Sequence, residues 1–222
     1  NQQVSKYLFN SYSVSEKLPH NFIDDLFKDS RGFIWVATGG GGLVRFDGYE
    51  FLTLSVNSAP ISLKSNYVRK VCEDGFNRLW VASNMGIDVI NLRTMQKISL
   101  FSEKETEKSI ENSGAQSVIK DRNGSIWILT VEKIHKIDFD KKGNIYRLTS
   151  SKNNSSTAHA FSTIHEIDNN ILVGDRGAVY IASVSQNGDL VFKLLNETLD
   201  FGEAVFISSL LKKDNILWIG VD

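Results

Sequence analysis

"KDSRGFIWVAT", Lys28 to Thr38, returns twice further along the chain, as "EDGFNRLWVAS" (Glu73 to Ser83) and "KDRNGSIWILT" (Lys120 to Thr130). Each copy places an aspartate six positions before a tryptophan: Asp29 and Trp35, Asp74 and Trp80, Asp121 and Trp127. The agreement runs further back. Leu18, Leu63 and Ile110 lie eleven positions before those aspartates, and Asn21, Asn66 and Ser113 lie eight before them. The tryptophans are spaced by 45 and 47 residues, and Trp218 follows after 91, about two units. A copy without its tryptophan therefore belongs near residue 172, where "NNILVGDRGAVYI" carries Leu172 in the slot. Five copies organise the chain.

Within one unit the pattern is strand, turn, strand, turn, strand, turn, strand. "FIDDLFKD" and "FIWVAT" are rich in β-formers and joined by "DSRG"; in the third copy the joint is "DRNG", whose Asn-Gly favours a hairpin. "GLVRFD" and "FLTLS" follow across "DGYE", where Asp-Gly marks another turn. Four antiparallel strands in a unit of about 45 residues is the arithmetic of a β-propeller blade. The expected fold is all-β, a propeller with four to five blades present, part of a seven-bladed ring. The tryptophan is expected to pack between neighbouring blades. Blade 1 spans 18–62, blade 2 spans 63–109, blade 3 spans 110–157, blade 4 spans 158–202, and 203–222 begins a fifth. Residues 1–17 read as an outer strand that closes the ring, because "KYLFNSYSV" (Lys6 to Val14) matches the phase of "YEFLTLSV" (Tyr49 to Val56). Blade 4 is expected to be the least regular, with Leu172 for tryptophan and "DNN" for the longer first turn. "SEKETEKSIENS" has too little apolar content to anchor a helix and reads as a solvated loop.

Four consecutive glycines, Gly39 to Gly42, raise the question of a phosphate loop. Such a loop needs a helix after the glycines and a Lys-Ser/Thr or GxGxxG frame. Here the glycines run into "LVRFD", a strand, so a hairpin turn is the expectation, with a closely approaching ligand as the alternative.

Composition narrows the function. The 222 residues are 41% hydrophobic and 23% charged with a net charge of −1, which gives no electrostatic case for nucleic acid or an anionic membrane. The one cysteine, Cys72, excludes an internal disulfide and a multi-cysteine metal site, and reads as a small buried hydrophobe. Apolar runs stay short of the roughly 18 residues of a membrane span. His20, His135, His159 and His165 show no HxH or HExxH spacing, so no metal or cofactor is expected. The aspartates recur once per unit, which suits turn hydrogen bonding better than catalysis, and no GxSxG elbow occurs.

Copies one and two resemble the two-component regulator propeller repeat. The resemblance rests on Leu18, Pro19, Asn21, Asp29, Gly32, Ile34, Trp35, Thr38, Gly42, Leu43 and Asp47 in copy one. In copy two it rests on Leu63, Asn66, Asp74, Leu79, Trp80, Ser83, Gly86 and Ile87. Copy three keeps Asp121, Gly124, Ile126 and Trp127, with Lys133 near the place of the later glycine; copy four is degenerate. The resemblance implies a non-enzymatic periplasmic sensor region of a membrane-bound hybrid histidine kinase. That region would detect an oligosaccharide and signal to polysaccharide-utilisation genes. It implies a homodimer, a membrane span outside this chain, and no bound nucleic acid. A protein-binding scaffold and a polysaccharide-active propeller enzyme are the alternatives.

Ligands of propellers usually meet the loops that lead into each inner strand and the turns between second and third strands. On that face the candidate ligand-binding residues are His20, Asn21, Asn66, Tyr67, His159, Asp175 and Arg176. Aromatic, amide and guanidinium groups suit sugar hydroxyls. Asparagine at such places also caps local backbone, and both readings stand for Asn21 and Asn66.

Overall fold

The computed structural model of the chain describes residues 11–102, 104–151, 161–195 and 205–222. Its strands form antiparallel meanders, one after another. The first sheet holds β1 (Ile23–Lys28), β2 (Ile34–Thr38), β3 (Gly42–Phe46) and β4 (Phe51–Leu54) in that order. The second holds β5 (Val68–Glu73), β6 (Arg78–Ser83), β7 (Gly86–Asn91) and β8 (Gln96–Ile98). The third holds β9 (Ala115–Lys120), β10 (Ile126–Thr130), β11 (Ile134–Phe139) and β12 (Ile145–Ser150). The fourth holds β13 (Thr163–Ile167), β14 (Asn170–Gly174), β15 (Val179–Val184) and β16 (Leu190–Leu194). A two-stranded sheet, β17 (Ile207–Lys213) and β18 (Ile216–Val221), follows. The chain is all-β and built of propeller blades, with β1, β5, β9, β13 and β17 as the inner strands.

Side-chain alternation in the second strand of each sheet stacks the blades. In β2, Trp35 and Ala37 enter the core shared with blade 2, whereas Val36 enters a smaller core on the opposite face with Leu18 and Val44. In β6, Leu79 and Val81 close the first core while Trp80 and Ala82 open the next. In β10, Ile126 and Ile128 close that one, and Trp127 and Leu129 face blade 4. In β14, Ile171 and Val173 belong to that core and Leu172 to the last, against Ile207 and Leu210. Trp35 and Trp80 are 0% exposed, and Trp218, on the far face of β18, is 60% exposed.

The aspartate spacing has a direct cause. Trp35 Nε1 donates to Asp29 Oδ2 at 2.9 Å, Trp80 Nε1 to Asp74 Oδ2 at 2.8 Å, and Trp127 Nε1 to Asp121 Oδ2 at 2.8 Å. The other oxygen of each carboxylate accepts two backbone N–H groups of the turn: Arg31 and Phe33, Phe76 and Arg78, Asn123 and Ser125. One side chain thus shapes the first hairpin and satisfies the buried indole. Burial alone would raise the Asp29 carboxyl, but donors from Trp35, Arg31 and Phe33, with the Arg31 charge, hold it below its ordinary value.

Three sequence expectations are modified. The segment expected to be a loop contains α1 (Glu105–Asn112). Among its described side chains Ile110 is the buried one; it joins the core of Trp80 and Phe101, and Lys64 Nζ grips the last turn through Glu111 O and Asn112 Oδ1. The helix is held by its neighbours and not by an apolar stripe of its own, which is why periodicity does not reveal it. Blade 4, expected to be irregular, has four strands and an unbroken β13–β14 register. Its shorter turn, Asp168 and Asn169, has positive φ at both residues (49° and 67°), a type I′ geometry that matches strand twist. The inner-strand pairings of blades 1, 2, 3 and 5 instead carry register shifts. Of the outer strand expected at Lys6 to Val14, residues 6–10 lie outside the described residues; Tyr12 and Ser13 are not in a strand, and Val14–Glu16 form a 3-10 turn.

Truncating a blade-to-blade tryptophan removes a large buried surface and orphans an aspartate. Trp80→Ala is expected to lower unfolding free energy by about 3–5 kcal/mol, and Trp218→Ala by less than about 1 kcal/mol. Urea unfolding of both variants checks the pair; equal losses would contradict the stacking described.

Candidate functional site at the axial face

The loops leading into the inner strands and the turns between second and third strands share one end of the blades, where backbone bonds tie them together. Gly40 N and Gly42 N both donate to Asn66 O, at 3.1 and 2.8 Å, fastening the glycine turn of blade 1 to blade 2. Gly177 N donates to Val205 O at 2.9 Å and does the same between blades 4 and 5. Asn84 N→Tyr67 O and Val131 N→Gly114 O close the turns of blades 2 and 3 onto their own lead-in loops.

Close approach favours glycine at three of the four positions 39–42, and a φ of +141° favours it at Gly40. A Cβ on Gly42, whose φ is +89°, would lie 2.1 Å from Leu54 O. A Cβ on Gly41 would lie 2.8 Å from Pro19, and one on Gly39 2.6 Å from the Phe22 ring. Thr38 Oγ1 accepts from Gly41 N and donates to Gly42 O, completing a hairpin turn that runs into β3. The turn is a hairpin packed against its own blade.

His20, Asn66 and Tyr67 gather around Gly40: a Cβ there would lie 3.5 Å from the His20 ring and 3.9 Å from Tyr67. His20 Nδ1 accepts from Phe22 N at 3.0 Å. The amide oxygens of Asn21 and Asn66 accept from Val14 N and Val56 N, at 3.1 and 2.9 Å. Asp175 and Arg176 form a second group between blades 4 and 5. There Asp175 Oδ1 accepts from Arg176 N at 2.6 Å, and the Arg176 guanidinium lies 4.9 Å from the centre of the Phe206 ring. His159 lies outside the described residues.

Between these groups, at the inner strands, is a cavity of about 520 Å³ lined from all five units. Asp24, Arg69, Lys70, Gln116 and Ser117 contribute from blades 1 to 3, and Phe161, Ser162, Thr163, Phe206 and Ser208 from blades 4 and 5. Asp24 Oδ1 lies 3.7 Å from Arg69 Nη1, while the buried Asp24 Oδ2 has no hydrogen-bond donor. Burial pushes the Asp24 carboxyl up from its ordinary value, with the Asp25 charge adding to it; Arg69 and His20 pull it back. Phe206 joins the Arg176 group to the cavity. A second cavity of about 410 Å³ lies towards the other end of the same inner strands, and Lys70 lines both.

The candidates read from the sequence lie on the loops beside the cavity, and the residues that line it were not among them. A signal existed: Asp24, Arg69 and Gln116 all stand five positions before the turn aspartate, a polar position inside an otherwise β-rich strand. Among the described residues no three His, Cys, Asp or Glu side chains group as metal ligands.

Residues 17–40 and 62–85 match the two-component regulator propeller. Those two stretches, in blades 1 and 2, carry the two-component regulator propeller repeat. Among solved structures, it is similar to the extracellular domain of a hybrid two-component system from B. thetaiotaomicron, with a TM-score of 0.69 and 18% identity over 92% of this chain. A second such domain from the same organism gives 0.59 and 18% over 97%. The chain spans 28% and 34% of those structures. Virginiamycin B lyase from Staphylococcus aureus is similar at TM-score 0.60 and 12% identity, covering 89% of this chain and 62% of the lyase. No curated protein matches. Within the described residues no helix is long and apolar enough to cross a membrane.

The glycine turn yields a stability test. Gly42→Ala combines a positive φ with a backbone clash and is expected to cost more than about 2 kcal/mol. Gly48→Ala, at φ +103° with no atom within 4 Å of the added methyl, is expected to cost only about 1–2 kcal/mol. Thermal unfolding of both variants checks the order.

Proposed function

We propose that the chain is an extracytoplasmic ligand-sensing segment of a two-component sensor and that its ligand is an oligosaccharide. The observation that carries the reading is the axial cavity. Strands from five blades converge there, bringing a carboxylate with an open oxygen, a guanidinium, hydroxyls and two phenylalanines into one concave space. Acceptors and donors set among aromatic faces are the chemistry that fits vicinal hydroxyls on an apolar ring face. The propeller repeats and the likeness to extracellular domains of hybrid two-component systems support the sensor context.

The mechanism is binding, without bond chemistry. A ligand touching Asp24, Arg69 and Phe206 at once contacts blades 1, 2 and 5. It favours whichever arrangement of those blades lets all three contacts form. In a homodimeric receptor that preference becomes a coupling free energy between the ligand site and the domains behind the membrane.

Calorimetry with a panel of neutral and acidic oligosaccharides is the test, with product analysis of the same mixtures. Saturable binding without turnover is the expected result; turnover would move the chain to the enzymes, as the lyase fold-neighbour illustrates. Asp24→Ala is expected to weaken binding about 10- to 100-fold, from loss of a charged acceptor. Because burial raises the Asp24 carboxyl, affinity should begin to fall above the usual carboxylate range as pH is lowered, and a profile flat down to pH 4 would contradict its role as acceptor.

A further inference from the structure

Lys70 occupies an unusual place: it is half-buried on an inner strand and forms the wall shared by both axial cavities. Lys28 and Lys120 line the second cavity with it, from the neighbouring inner strands on either side. None of the three ammonium groups forms an ion pair among the described residues. The carboxylates beside them are directed elsewhere. Both oxygens of Glu73 accept from Ser30, one from its N–H at 2.6 Å and one from its hydroxyl at 2.7 Å. Asp25 Oδ2 accepts from Val71 N at 3.1 Å. Glu166, at the matching place on β13, accepts from Arg122 N at 2.9 Å. Each carboxylate ties neighbouring blades together through a backbone N–H, so its charge is held by those donors and not in an ion pair with a lysine.

The Lys70 charge is felt across the axis. Burial holds the His165 imidazole on β13 neutral, down to about 4, and Lys70 adds to that depression. Burial pushes the Cys72 thiol up, Asp74 adding to the rise, while Lys120 and Lys70 both oppose it. Lys70, Lys28 and Lys120 thus line one cavity together with the unionised Cys72 thiol and the Asp25 and Glu73 carboxylates, three cations to two anions. A cation between two cavities, in no ion pair among the described residues and in a lining with more lysines than carboxylates, fits an anionic group on whatever occupies them.

We propose that Lys70 is an anion-binding group of the axial channel, so that the sugar ligand carries a carboxylate or sulfate. The inference rests on the reading of the channel as a sugar site and adds the chemical class. Lys120 and Lys28 raise the local potential, and Arg69, already paired with Asp24, orients the neutral part of the ligand.

The test is NMR titration of the full chain with glucuronic acid, with glucose and with inorganic sulfate, following amides of β5 and β9. Glucuronate is expected to give saturable shifts that glucose does not give at equal concentration. Lys70→Gln should weaken them at least about 10-fold, Lys70→Arg should retain most of the affinity, and Lys142→Gln, on an outer turn, should leave it unchanged. Equal binding of glucose and glucuronate, or wild-type binding by Lys70→Gln, would overturn the anion site. Sulfate binding as tight as glucuronate binding would overturn the acidic sugar in favour of a free inorganic anion. Neutral oligosaccharides that bind by calorimetry while glucuronate does not would remove this inference and leave the sugar site standing. Failure of every sugar, acidic and neutral, would remove both.

Discussion

A buried indole needs an acceptor for its N–H, and in this chain that acceptor is also the residue that builds the adjoining turn. Three carboxylates each take one indole N–H and two turn N–H groups. The large apolar surface of tryptophan can therefore be buried between blades without an unsatisfied donor, whose cost would be about 1–3 kcal/mol. It also explains why aspartate and tryptophan travel together at a fixed distance while the residues between them vary from "SRGFI" to "GFNRL" to "RNGSI". Blades 4 and 5 lack this aspartate. There a two-residue turn with positive φ at both positions replaces it, at Asp168-Asn169 and Asp214-Asn215. Two solutions to one hairpin coexist, and the second leaves position 172 free to be leucine.

Stacking by alternation places function at the inner edge. Once successive residues of β2, β6, β10 and β14 are committed to the cores on either side, the polar positions of the inner strands are what remains to face the axis. Their backbone donors and acceptors link neighbouring blades through Asp25, Glu73 and Glu166. Asp24, Arg69, Lys70 and Gln116 are left for the cavity. The lead-in loops fastened by Gly40, Gly42 and Gly177 close one end of it; all three have the positive φ that favours glycine, and at Gly42 a Cβ would also meet the Leu54 backbone.

What could be read from the sequence divides along the same line. The blade repeat, the inward tryptophans and the hairpin character of the glycine turn were legible, because each depends on spacing or on turn chemistry. Helix α1 was not, since one isoleucine and a lysine from the preceding blade hold it. The regularity of blade 4 was hidden because "DNN" looks like a truncated turn until both positive φ angles are known. His20 was picked from the lead-in loop of blade 1 and Asn66 and Tyr67 from that of blade 2, and all three lie around Gly40; the cavity residues come from five units and meet only when the blades are stacked.

That division explains why the fold is so much easier to recognise than the ligand. Positions bound by the clamp cannot change without exposing or orphaning a group, so Asp29, Asp74 and Asp121 repeat. The position five residues earlier reads aspartate, arginine and glutamine in successive blades. Nothing in the blade core depends on it, and it can carry either sign of charge at no cost to stacking. A propeller of this kind is a constant scaffold with a variable inner edge. On the proposed reading, the chemistry of the ligand is written in the non-repeating members of an otherwise repeating strand, of which Lys70, in no ion pair among the described residues, is the most informative.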